Sequence, residues 1–153
     1  MAVKLERRIG IQAPDEVVWE ILADVERWPE WNPMYATARG EIRIGDRWSL
    51  ERTLRGQPVT VINPVILDWA PYDHIHWRHD MMRGWARSIR FFEIEKMGEE
   101  SIIYSTGEIF DGWLGGSAAR RLRNPILEAF EAGNEALKAR AEAIWNERRV
   151  SGK

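Results

Sequence analysis

Between Met34 and Phe110 the chain breaks into short runs rich in β-branched and aromatic residues, each closed by a turn signal. Gly40, Ile44-Gly45-Asp46, Arg55-Gly56, Ala70-Pro71, Arg83-Gly84 and Met97-Gly98 mark the turns. Connections this short join antiparallel neighbours, because a parallel pair needs a long crossover. One long amphipathic stretch follows, from Ser117 to Arg149. Leu122, Ile126, Phe130, Gly133, Leu137, Ala141 and Ile144 step by fours and threes along one face. A curved antiparallel sheet has a concave face to cover, and one long helix can cover it. Pro125 falls about a turn inside that helix, so it either kinks the helix or marks its true start.

Ahead of the meander, Lys4 to Gln12 alternates weakly and reads as a strand. Ala13-Pro14-Asp15-Glu16 opens a helix, since proline suits the first turn and acidic side chains suit the positive end of the helix dipole. Val17, Val18, Ile21 and Leu22 carry it to Ala23, and Pro29 permits at most a short second helix before it. The expectation is an α+β fold in one domain, residues 1–153, with about seven strands wrapped round a C-terminal helix. Such a sheet leaves a hollow beneath the helix, which is the place to look for a site.

Composition removes several functions. Twenty-two basic and 24 acidic side chains give a formal charge of −2, with no basic stripe for nucleic acid. The chain has no cysteine, hence no thiol nucleophile and no Cys-type zinc site. Its start lacks the apolar run of a signal peptide, and no segment approaches the roughly 18 apolar residues of a membrane span. A cytoplasmic protein without stable membrane insertion is expected. There is no phosphate-binding loop, dinucleotide fingerprint or nucleophile elbow. No cofactor is expected. Nine tryptophans stand out: they either build an aromatic core or line a cavity.

The N-terminal IQAPDEVVWEILADVERWPEWNP, the strand end GEIFDGWLGG and the helix FEAGNEALKARAEA together resemble the START-like, helix-grip superfamily, also called SRPBCC or Bet v 1-like. The similarity is to its polyketide cyclase/dehydrase and lipid-transport type, and it follows the element order over nearly the whole chain. It implies a deep cavity between sheet and C-terminal helix that takes hydrophobic ligands. It does not imply a single activity: members bind lipids, hormones or polyketides, some are cyclases, and others are protein-interaction domains.

All three histidines lie in HIHWRH, residues 74–79. Strand alternation puts His74, His76 and Arg78 on one face and Ile75, Trp77 and His79 on the other. Histidines at i and i+2 stand about 7 Å apart, a span that zinc can bridge. The third histidine points away, however, and Arg78 would repel a cation. A zinc site would need carboxylates from a neighbouring strand; no metal is expected, and His74 and His76 read as an outward polar face. His79 follows Ile75 and Trp77 on the apolar face. It is either satisfied by a backbone carbonyl or stands at a cavity rim, open to proton transfer.

In SIIYSTGEIF, Ile102, Tyr104, Thr106, Glu108 and Phe110 share one face, and the resemblance puts that face inside. The preceding strand then sends Ser88, Arg90, Phe92 and Ile94 inward. A turn centred on Met97-Gly98-Glu99 sets Ile94 opposite Ile102 and Arg90 opposite Thr106, diagonal to Glu108. An Arg90–Glu108 pair in an apolar hollow is expected, either self-contained or serving as a polar anchor for a ligand. Arg90, Glu108, Tyr104, Thr106, Trp77, His79, Phe92 and Phe130 are the candidate ligand-binding residues, with Glu108 and His79 the catalytic candidates. Trp28, Trp31 and Trp113 either pack or form a hydrophobic gate beside Gly112, Gly115 and Gly116. VTVINPVILDW reads as one strand apolar on both faces, which raises a homodimer as an expectation.

Three functions stay open on these residues: binding of a hydrophobic or amphipathic small molecule (lipid, polyketide or aromatic compound), a cofactor-independent cyclase, dehydratase or isomerase, and a co-chaperone-like interaction domain.

Overall fold

The computed structural model describes residues 2–152. Strand β1 (Val3–Ile11) leads into helix α1 (Asp15–Ala23) and a 3₁₀ turn over Val25–Glu30. Seven strands follow: β2 (Tyr35–Arg39), β3 (Ser49–Arg52), β4 (Thr60–Ile62), β5 (Val65–Ala70), β6 (His74–Met81), β7 (Ala86–Gly98) and β8 (Ser101–Asp111). Helix α2 (Gly115–Val150) closes the chain. The α+β helix-grip architecture is as expected, with eight strands rather than about seven.

Local chemistry explains the first half. The Pro14 carbonyl accepts from Val17 N at 3.1 Å and Val18 N at 3.3 Å, which starts α1. Val17, Val18, Trp19, Ile21 and Leu22 are its buried side. The segment after Ala23 is tighter than an α-helix, and it includes Pro29 instead of stopping before it. A short 3₁₀ turn accommodates a proline near its end because few of its amides need acceptors.

The sheet forms two hydrogen-bonded pieces, all antiparallel: β1-β8-β7-β6-β5 and β2-β3-β4. The expected single strand VTVINPVILDW is in fact two. It breaks at Asn63-Pro64 because proline has no amide for the ladder. The break is where the pieces meet: Trp48 N donates to Pro64 O at 2.9 Å, and Ile66 N to Asp46 O at 2.9 Å. Ile62 and Ile66 are buried, while Val59 (60 % exposed), Val61 (58 %) and Leu67 (40 %) are open.

Helix α2 lies across β1, β7 and β8 with Leu122, Ile126, Phe130, Gly133, Leu137 and Ala141 inward. It runs unbroken from Gly115, so Pro125 does not mark its start. The carbonyl that proline leaves without a donor belongs to exposed Arg121, where water can serve it. Above the helix, Trp28 is the centre of the core. Its ring centroid is 5.5 Å from Trp48, 6.2 Å from Trp77, 5.3 Å from Phe92 and 5.5 Å from Tyr35. The indole N–H, which would be costly to bury alone, donates to Leu22 O at 3.0 Å.

Candidate functional site

The inner face of the sheet carries polar groups at its middle. From β7, Ser88 and Arg90 are buried, and from β8, Thr106 and Glu108. The register differs from expectation. The turn centres on Glu99 and Glu100, and a bulge lies between Lys96 and Gly98, so Ile94 pairs with Tyr104 and Arg90 with Glu108. The chosen faces survive the change, because the shift is by two residues and side-chain direction repeats every two.

Arg90 is only 3 % exposed. Its guanidinium carbon sits 4.2 Å from the ring centroids of both Phe92 and Phe130, and 6.0 Å from that of Trp77. Cations are attracted to aromatic faces, and the attraction strengthens where water is excluded. Nη1 donates to Thr106 Oγ1, to Phe91 O at 3.2 Å and to Gly107 O at 3.1 Å. The expected ion pair is absent: among the described residues no salt bridge within 4.0 Å joins Arg90 to Glu108. Thr106 takes the contact instead, from the diagonal position.

Among the described residues, several buried polar atoms here have no hydrogen-bond partner: Arg90 Nε, the Tyr35 hydroxyl and Ser88 Oγ. Native interiors rarely leave such groups unpaired, and those that remain ask for an explanation. Burial raises the pKa of the Tyr35 and Tyr104 phenols, with the Arg90 charge opposing the shift in both. Both therefore stay protonated and able to donate. Ser88 faces inward as its strand position predicts, whereas Tyr35 and Arg52 had no motif to flag them. Tyr35 and Arg52 reach the site only through the β2–β3 pairing that sets them opposite each other.

The rows of the sheet make this a continuous strip. His79 pairs with Ser88, and Trp77 pairs with Arg90, which in turn faces Glu108. His79 opens the strip to a groove of 390 Å³ lined by Arg52, Leu54, Ile62, Met81 and Leu122 among others. Burial holds the His79 imidazole down to about 4, with the Arg52 charge adding to the shift and Asp80 opposing it. The ring is neutral at pH 7. The structure thus brings Arg90, Thr106, Phe92, Phe130 and Trp77 into contact, sets Tyr104 and Glu108 on the same inner face, and leaves His79 at the rim. Trp28, Trp48 and Trp77 pack against one another in the core, with ring centroids 5.5, 6.2 and 5.4 Å apart.

Trp28 is fully buried and belongs to that cluster, not to a gate. Trp113 is 84 % exposed and rests on Trp85, ring centroids 5.1 Å apart. Among the described residues no helix is long and apolar enough to cross a membrane.

Known proteins place this geometry. The family described as polyketide cyclase / dehydrase and lipid transport matches residues 2–142. No curated protein sequence matches the chain. Solved structures share the fold at low identity. The Zhui aromatase/cyclase from Streptomyces sp. R1128 superposes with a TM-score of 0.76 at 18% identity, covering 98% of this chain and 96% of that one. A START superfamily protein from Mycobacterium smegmatis gives 0.71 at 19%, covering 92% and 98%. Major latex-like protein 151 from Panax ginseng gives 0.71 at 14%, covering 92% and 97%. With residues 2–142 matched, the chain belongs to the polyketide cyclase/dehydrase and lipid transport family, and its fold is the one seen in the START superfamily protein and the major latex-like protein.

Proposed function

We propose that the protein binds an amphipathic small molecule carrying an anionic or carbonyl oxygen, in the manner of a lipid or an aromatic polyketide. Its polar end meets Arg90 and its apolar body lies toward the groove beside His79. The observation that carries this reading is the guanidinium itself. It is buried between two phenyl rings, free of any carboxylate contact, and has its Nε and the neighbouring Tyr35 and Ser88 hydroxyls unpartnered. A cation held this way accepts an incoming oxygen without first giving up a salt bridge. The rings of Phe92 and Phe130, each 4.2 Å from the guanidinium carbon, supply apolar contact around it.

A second reading has its own observation. His79 is neutral and faces the groove, so it is free to accept a proton there. With Arg90 polarising a carbonyl, this would support a cofactor-independent cyclisation or dehydration. Such activity would require the substrate to span from the rim to Arg90.

Trp77, whose ring centroid is 6.0 Å from the guanidinium, reports on the anchor. Titrating the protein with fatty acids, sterols, flavonoids and aromatic polyketides should give saturable tryptophan quenching by one class. Arg90→Lys, which keeps the charge but not the planar fork, should weaken that binding roughly tenfold or more. A flat response across the panel, or equal binding by the variant, would sink the proposal. Turnover of the bound class that is lost in His79→Gln without loss of affinity would select the enzymatic reading.

A further inference from the structure

The outer face of β6 raises a separate question. His74 and His76 both point there, with ring centroids 4.5 Å apart. The sequence offers no third ligand beside them, but the fold does. A bulge in β5 between Ile66 and Asp68 brings Asp68 into register opposite His76. Asp68 Oδ2 lies 3.0 Å from His74 Nε2. One ligand atom each from Asp68, His74 and His76 falls within 4.8 Å of the other two.

Two further carboxylates complete the surroundings. Asp73 Oδ2 is 2.6 Å from His74 Nδ1 and orients that ring so that Nε2 faces Asp68. This is the outer-sphere arrangement that metal-binding histidines use to fix their tautomer. Glu93 Oε2, across on β7, is 2.9 Å from His76 Nε2 and adds negative charge within reach. Arg78, which shares the face, is paired with Asp80 at 3.3 Å. The repulsion expected from the sequence is therefore partly neutralised.

We infer that Asp68, His74 and His76 form a site for a first-row transition-metal dication of the zinc type, on the outer surface of the sheet. Two imidazole nitrogens and one carboxylate oxygen suit zinc and its neighbours better than magnesium or calcium, which favour all-oxygen shells. Donors about 2.0–2.1 Å from a tetrahedral zinc stand roughly 3.4 Å apart, and the exposed Asp68 and the partly buried histidines need only small rotations to reach that spacing. The bound ion ties β5 to β6 across the turn that joins them. Nothing in this inference depends on the interior ligand.

Calorimetric titration of the protein with zinc chloride at pH 7.5 tests it. The expected result is one zinc per chain with a rise in melting temperature, because an ion that binds only the folded state stabilises it. His74→Gln/His76→Gln should lose the saturable binding, and Asp68→Asn should weaken it about tenfold. His79→Gln, on the opposite face, should bind zinc as the parent does. X-ray absorption of the zinc-loaded wild type gives a readout independent of any variant and should show two imidazoles among the scatterers. Binding weaker than about 1 mM, binding unchanged in the double variant, or a spectrum without imidazole would each overturn the site.

Discussion

Arg90 and Glu108 stand directly opposite each other on β7 and β8, both 3 % exposed, yet the guanidinium turns aside to Thr106 Oγ1 and the carbonyls of Phe91 and Gly107. Opposite charges on facing residues still feel each other through a low-dielectric interior. Removing either one alone leaves the other without a counter-charge. Arg90→Met should therefore cost about 3 kcal/mol in urea unfolding, while Arg90→Met/Glu108→Gln should recover a good part of the loss. A double-mutant cycle with a coupling below about 0.5 kcal/mol would show that the two charges act independently.

Gly107 predicts a steric failure. A Cβ there would stand 2.3 Å from Phe91 Cζ and 2.6 Å from the Leu5 carbonyl oxygen. The ring can swing away, but the paired backbone of β1 cannot. Gly107→Ala should destabilise by about 1–3 kcal/mol. Phe91→Leu added to it should recover only part of that, since the carbonyl contact remains. Thermal melts of the single and the double variant against wild type measure this directly.

His79 sets a pH dependence. Its folded-state pKa is held down to about 4 from the ordinary 6.5. Between those values the unfolded chain binds a proton that the folded chain does not. Stability is then fully present above pH 6.5 and falls as the pH drops toward 4. His79→Gln should flatten that part of the curve. A wild-type melting temperature that stays level across this window, or a fall that the substitution leaves unchanged, would contradict the buried, neutral assignment.

The Trp28 cluster and the surface ion pairs should respond very differently. Trp28→Ala removes the ring on which Trp48, Phe92 and Tyr35 pack, and should cost about 3–5 kcal/mol. Arg55 grips Glu128 with two nitrogens, Nε at 2.6 Å, but the side chains are 68% and 53% exposed. Glu128→Gln should leave stability nearly unchanged despite that geometry, because water screens the pair. Urea midpoints for both substitutions check the contrast.

The periodic pattern alone determined the sheet meander, the long covering helix and which residues of β6, β7 and β8 share a face, while the family resemblance chose which face of β8, and with it β7, turns inward. Side-chain direction depends only on local backbone geometry, so HIHWRH splits its histidines between faces whatever the partner strand does. Register was not legible. It depends on where one turn closes and on a bulge near Met97, and those are decided by how β7 and β8 fit together in the whole sheet. The same holds for Asn63-Pro64, where an apparently single strand becomes the joint between two sheet pieces. Only the tertiary structure could show that Arg90 prefers Thr106 to Glu108, that Tyr35 and Ser88 lie unpartnered beside it, and that Asp68 comes up beside His74 and His76. Each of these joins residues from different strands, and such meetings are fixed by packing over long sequence separations rather than by any neighbour along the chain.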